Sequence, residues 1–191
     1  MIKLEIISGT DRPHSNAMRV SKYVQRLYRD AGAHADILDM QDFPLEAVKG
    51  GQYGENIPEV KRFIKPVLAA DGLVMVVPEY NGSFPGILKL FIDYLPFPRA
   101  FEKLPISFIG ESSGSFGALR AVEQLQLVAG YRNAYVFPER VFISRIHENF
   151  DEKQGVLNEM QRKLLFSQVE NFTQYVASLK SEKLVAKPLS L

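Results

Sequence analysis

Apolar residues along the chain fall into two rhythms that take turns. Short apolar runs at Ile2 to Ile7, Ala35 to Leu38, Leu73 to Val77, Pro105 to Gly110 and Ala134 to Ile143 alternate with stretches where apolar side chains return every three or four positions. The first rhythm predicts buried strands and the second amphipathic helices. Ala17, Val20, Val24, Leu27 and Ala31 share one face of a helix that begins near Ser15 or Asn16 and ends before Gly32. Val60, Phe63, Ile64, Val67 and Leu68 mark a second helix from Pro58, with Pro66 expected to kink or locally disrupt it. Phe84, Ile87, Leu88, Phe91, Ile92 and Leu95 mark a third, with Ser83 as its expected cap and Pro85 in its first turn. Leu119, Val122, Leu125, Leu127 and Val128 mark a fourth, and a last helix is predicted from about Gly155 to Lys180. Pro138-Glu139-Arg140 interrupts the fifth strand run, which suggests an edge position or a break.

This alternation predicts one α/β domain over residues 1–180, a three-layer α/β/α sandwich around a five-stranded parallel sheet, followed by a short tail at 181–191. The expected strand order is 2-1-3-4-5. In that order strands one and three are neighbours at the topological switch point, so the loops that follow them open on one crevice, with the loop after the fourth strand at its border. The polar stretch from Asp39 to Asn56, with Pro44 and Gly50-Gly51-x-x-Gly54, exceeds an ordinary connection and reads as a lid, a substrate loop or disorder. Tyr53 near its tip either covers a bound ring or stands exposed.

Three turns carry candidate chemistry. Ser8 to Asn16 sets hydroxyls, a guanidinium and unpaired backbone N–H groups at a helix start, a cradle for an anion. Thr10, Arg12, Ser15 and Asn16 are its candidates, although Ser15 and Asn16 serve equally as simple caps. The loop has neither G-x-G-x-x-G nor G-K-[ST]. Pro78-Glu79-Tyr80-Asn81-Gly82 is a tight polar turn after the most apolar strand, and its residue types would also suit a plain connection. Glu111 to Gly117 is a Ser/Gly-rich turn in which Ser112, Ser113 and Gly114 lead Phe116 and Gly117 as candidates; such a turn brings backbone close to a flat ligand or merely permits helix packing.

Composition narrows the partners. A net charge of +1 removes the basic field that recruits nucleic acid or an anionic membrane. No apolar run approaches the ~20 residues of a membrane span, and the expectation is a soluble, cytoplasmic protein. The absence of cysteine removes disulfides, thiolate metal sites and cysteine nucleophiles. His14, His34 and His147 are too scattered to argue for a metal.

The second turn, P-E-Y-N-G-S followed by P-G-x-L-K and I-D, resembles the signature of the NADPH-dependent FMN reductase family, and Ser8 to Asn16 resembles that family's S-G-S-x-R-x-x-S-x-N phosphate loop with Thr10 in place of a serine and with Asn16 directly after Ser15, one position early. The resemblance implies a flavodoxin-like fold that binds FMN. Thr10, Arg12, Ser15 and Asn16 would hold the phosphate. Pro78, Glu79, Tyr80 and Asn81 would lie along the polar edge of the isoalloxazine, and Ser112, Ser113 and Gly114 would border it. It also implies hydride transfer from NADPH or NADH to flavin N5 and then reduction of a small acceptor, such as a flavin, a quinone, an azo compound or chromate. No catalytic acid or base is expected, because the cofactor carries the chemistry. A homodimer or homotetramer is implied, with the helices after Ser83 and Ser115 as interface candidates. The alternative is a flavodoxin-like FMN electron carrier serving a protein partner; typical carriers are strongly acidic, and this chain is nearly neutral.

Overall fold

The computed structural model describes residues 1–48 and 51–181. Five parallel strands, β1 (Lys3–Ser8), β2 (His34–Asp39), β3 (Gly72–Pro78), β4 (Pro105–Glu111) and β5 (Tyr135–Ile143), form one sheet in the order β2-β1-β3-β4-β5. The helices are α1 (Asn16–Asp30), α2 (Pro58–Ala69), α3 (Gly86–Tyr94), α4 (Leu119–Tyr131), a single turn α5 (Ile146–Asn149) and α6 (Glu159–Ser181). A two-stranded clip, β6 (Phe150–Asp151) with β7 (Gly155–Val156), precedes α6.

Residue alternation on the strands divides the core into two layers. Leu73, Met75 and Val77 of β3 join α2, α3 and α4 on one face, while Val74 and Val76 join α1 and α6 on the other. All seven residues of β3 and of β4 are buried, which explains why these strands read as unbroken apolar runs. β5 lies at the edge as expected. Its register against β4 shifts between Ile106 and Phe108, opposite Pro138. Gln168 of α6 reaches into this irregularity, its Nε2 donating to the carbonyls of Phe108 (3.0 Å) and Glu139 (2.8 Å).

Several expected details change. α2 runs through Pro66 without the local disruption expected as one outcome there, because only the carbonyl of the exposed Arg62 loses a helical partner. The last helix starts at Glu159 rather than Gly155: Gly155 has φ of 78° in the clip and lies against the Tyr23 ring, while the Asn158 side chain accepts the Gln161 N–H (3.0 Å) as a cap. The 39–56 stretch holds two 3₁₀ turns, Met40–Asp42 and Leu45–Ala47, anchored by buried Met40 and Phe43. Tyr53 is half exposed and leans on Tyr94, 5.1 Å between rings. Of the expected loop glycines, Gly50 lies outside the described residues, as does all of the expected tail beyond Ser181.

Candidate functional site

The connections at the carboxyl ends of β1, β3 and β4 open on one cleft of about 670 Å³. Its lining includes Arg12, Ser15 and Asn16 from the first, Pro78 to Asn81 from the second, and Ser112, Ser113 and Gly114 from the third. Ten of the eleven residues singled out from the sequence therefore border one space. The other, Thr10, is fully buried beneath it.

The first loop leaves β1 at Gly9, whose N–H donates to the Val76 carbonyl (2.9 Å); a Cβ there would stand 2.8 Å from that oxygen. The chain passes through His14, held in the left-handed region at φ 53°, and enters α1. Ser15 is the cap: its Oγ accepts the Met18 N–H at 3.1 Å. Asn16, the first helical residue, is thus spared that duty, and its Oδ1 accepts from Arg19 Nη1 (2.8 Å). Arg19 is itself held by Glu152 of the clip, Nε to Oε1 at 2.6 Å. Arg12 is exposed, and among the described residues its guanidinium meets no partner. Thr10 ties this loop to the second, with Oγ1 3.0 Å from the Tyr80 hydroxyl, and also accepts the Arg12 N–H at 3.3 Å.

The second loop is a two-residue hairpin turn. Tyr80 and Ser83 exchange both backbone hydrogen bonds (2.8 and 3.0 Å), and Asn81 and Gly82 between them have φ of 52° and 74°. Two central residues at positive φ are the demand of a type I′ turn, which Asn-Gly meets at least cost. This corrects the reading of Ser83 as a helix cap: the bridge occupies its backbone, its Oγ donates to Gln124 Oε1 (2.6 Å), and Pro85 precedes α3 with no side-chain cap. Helix α4 clamps the turn from outside. Gln124 Nε2 donates to the Gly82 carbonyl (3.1 Å), and Arg120 Nη1 donates to Glu79 Oε1 (2.9 Å). Glu79 Oε2 is buried without a hydrogen bond.

The third loop is stitched to the chain leaving β5. Ser112 N–H donates to the Ile143 carbonyl (3.2 Å), Ile146 N–H to that of Ser112 (3.0 Å), and Arg145 N–H to that of Gly114 (3.0 Å). This brings His147 to the rim, with Nε2 2.9 Å from Ser113 Oγ. Phe116 is exposed under the Arg120 guanidinium, 4.9 Å from its ring centre.

Of the lining residues outside the sequence-based set, Glu111, Arg120, His14 and His147 carry titratable or charged side chains. Glu111 had a legible signal, a carboxyl closing the apolar run of β4. It is 4% exposed, and burial pushes its acid up to about 7, with Arg19 opposing. Arg120 and His147 had none, since only the fold brings them to the cleft.

These groups fit a mononucleotide. An unpaired guanidinium at the start of a 15-residue helix suits a phosphate, and the exposed Asn81 and Phe116 flank room for a flat ring with polar edges. Sheet order and cleft together define a flavodoxin-like α/β domain with an open cleft at its switch point that a mononucleotide fits. The family model for NADPH-dependent FMN reductases matches residues 2–148. The chain belongs to that family, and is accordingly an NAD(P)H-dependent, FMN-dependent oxidoreductase.

The chain is 27% identical over 184 residues to an NADPH azoreductase of Bacillus sp. (strain OY1-2), covering 95% of this chain and 97% of the relative. It is 30% identical over 146 residues to a 2-hydroxy-1,4-benzoquinone reductase of Burkholderia sp., covering 74% and 78%. Among solved structures, the flavoenzyme NAD(P)H:(acceptor) oxidoreductase FerB of Paracoccus denitrificans superposes with a TM-score of 0.76 at 22% identity, covering 93% of this chain and 98% of that one. Among the described residues no helix is long and apolar enough to cross a membrane.

Proposed function

We propose that the cleft holds FMN with its phosphate at Arg12, Ser15 and Asn16, and that the enzyme reduces small conjugated acceptors of the quinone and azo classes. The observation that carries the placement is the convergence of three loops on one cleft, with the unpaired Arg12 at the α1 N-terminus. FMN, when bound, accepts a hydride from NADPH or NADH and delivers the electrons to the second substrate. The protein orients and holds. Arg12 supplies charge; Ser15 fixes the helix start; and Arg19, by occupying Asn16 Oδ1, leaves the Asn16 amide NH₂ as the end free to donate. The turn from Pro78 to Asn81 lies along the ring edge, with Glu79 and Asn81 as the sources of backbone N–H groups because Ser83 takes that of Tyr80 and Pro78 has none, and Ser112, Ser113 and Gly114 close the opposite border. Thr10 acts from below, by steadying Tyr80.

The acceptor classes rest on the relatives, an azoreductase and a benzoquinone reductase. A flat conjugated molecule suits a cleft that stays open beside Phe116 and Asn81. The test is an absorption spectrum after FMN addition and gel filtration, followed by anaerobic NADPH. Retained flavin bands that bleach, and that a benzoquinone or azo dye restores, are the expected result. Retained flavin that neither NADPH nor NADH bleaches would instead indicate an electron carrier.

The proposal includes a homo-oligomer in the cytoplasm. Phe97, Leu127 and Tyr131 are exposed, Leu127 at 76% and Tyr131 at 79%, and the rings of Phe97 and Tyr131 lie 6.2 Å apart. Sedimentation should give a dimer or tetramer, and Leu127→Glu with Tyr131→Glu should give a monomer.

A further inference from the structure

Glu111 is out of keeping with its surroundings. It closes β4 between Pro78 and Ile143, is 4% exposed, and lines the cleft. Among the described residues its carboxyl oxygens make no hydrogen bond and no ion pair. The alternation of β4 turns it, like Ile109, toward α1. The nearest influential charge is Arg19, already occupied by Glu152 and Asn16. With neither a hydrogen bond nor a salt bridge from the protein, the carboxyl of this otherwise buried residue has only the water of the cleft as a partner, and whatever fills the cleft displaces or replaces that water.

The charged and titratable groups around it come from every neighbouring element. α1 and its loop supply Arg12, His14 and Arg19; the second loop and α4 supply Glu79 paired with Arg120; the chain after β5 supplies His147, hydrogen-bonded to Ser113, and Arg145 near Glu148; the clip supplies Glu152. None of these cations contacts the Glu111 carboxyl. Filling the cleft would strip its remaining water, and a phosphate at the α1 N-terminus would bring further negative charge; both favour the protonated acid. A protonated carboxyl offers what a carboxylate lacks, an O–H donor.

We propose that Glu111 is a proton-carrying contact for the cofactor: it holds its proton in the loaded cleft, donates it as a hydrogen bond to the bound flavin nucleotide, and so makes loading take up one proton from solvent. The inference rests on the FMN reading above. Its direction agrees with the free protein, in which burial already pushes this acid up to about 7. Affinity should be highest below that value and weaken by up to about tenfold per pH unit above it.

The test is titration calorimetry of the apoprotein with FMN from pH 6 to 8.5 in two buffers of different ionisation enthalpy, which counts protons directly. The parent should take up about one proton at pH 8. Glu111→Gln, which keeps an N–H donor but cannot titrate, should bind FMN with almost no uptake and with a flat profile apart from the phosphate's own ionisation near 6. A variant with His14→Gln and His147→Gln should retain the uptake. Equal uptake in Glu111→Gln, or its loss in the histidine variant, overturns the proposal. Should Glu111→Gln not fold, an infrared difference spectrum of the parent on loading serves instead: a new protonated-carboxyl band at pH 8 is expected, and its absence overturns the proposal. FMN binding that ignores pH in the parent defeats this inference alone, whereas no FMN binding at any pH defeats the FMN reading and this inference together.

Discussion

The two ends of the sheet use the same backbone conformation for different ends. At the amino end, Gly32 and Asn133 take positive φ just after α1 and α4, where a left-handed residue lets a finished helix satisfy its last carbonyls. Asp71 there is tied from several sides: its carboxylate accepts from the Lys3 N–H and from Lys180 Nζ, both at 2.7 Å, while its own N–H donates to the Lys3 carbonyl at 2.8 Å. At the carboxyl end, His14, Asn81, Gly82, Gly117, Ala118 and Arg145 take positive φ in loops around the cleft. There, among the described residues, the Arg12 guanidinium meets no partner, Glu79 Oε2 is buried without a hydrogen bond, and the Glu111 carboxyl, on a residue 4% exposed, makes no hydrogen bond to protein. The amino end is tied mostly to itself, and the carboxyl end gathers charged groups that the protein leaves without partners around an open cleft. Local rules broken at one place, and obeyed elsewhere, mark a site.

The contrast can be broken first on the closed side. Phe172 is fully buried and packs edge-on to Tyr28 and against Phe137. Phe172→Ala should cost about 3–5 kcal/mol in a denaturant unfolding curve, while the folded protein keeps its FMN affinity within about twofold. A large loss of affinity in the folded variant would mean the two ends are coupled.

Protonation gives the next effect. Glu5 of β1, like Glu111, is pushed up to about 7, by burial and by neighbouring Asp36 against the pull of Lys3. With folded values above the ordinary 4.5, the stabilising contribution of both groups is complete below about 4.5 and is lost as pH rises through 7. Apoprotein stability should therefore decline across that window, and Glu5→Gln should recover roughly 1–3 kcal/mol at pH 8. Thermal melts at pH 5 and 8 check this, and a parent curve that rises with pH would refute the sign.

Arg12→Ala sharpens the open side. It should lose about 1.5–3 kcal/mol of FMN affinity, the range of a charge-assisted hydrogen bond, while riboflavin, which lacks the phosphate, binds as before. The apoprotein melt should move by less than about 0.5 kcal/mol, since an exposed group without a partner stabilises nothing. Thr10→Val is the mildest change. Losing the Thr10–Tyr80 contact should cost about 0.5–1.5 kcal/mol of stability, and flavin release, followed by fluorescence, should quicken a few-fold as the second loop loosens.

How much was legible follows from what a linear pattern encodes. Burial on one or two faces leaves a period that any reader of the chain can see, so the five strands, the main helices and the sheet order were readable, together with all three loops of the cleft. The Asn-Gly pair carried the type I′ turn as well, but the apolar periodicity beyond it drew Ser83 into the helix. The same periodicity extended the last helix over Gly155 and Leu157, where the Tyr23 contact and the Asn158 cap set the true start. What the chain alone determined is the alternation of elements and the loops that meet at the switch point, because these depend on local propensity and on handed crossovers. Tertiary structure decided that Ser15 caps while Asn16 is held by Arg19, that α4 braces the second turn, and that His147 and a buried Glu111 border the same cleft. Those relations join residues far apart in sequence, and no local period records them.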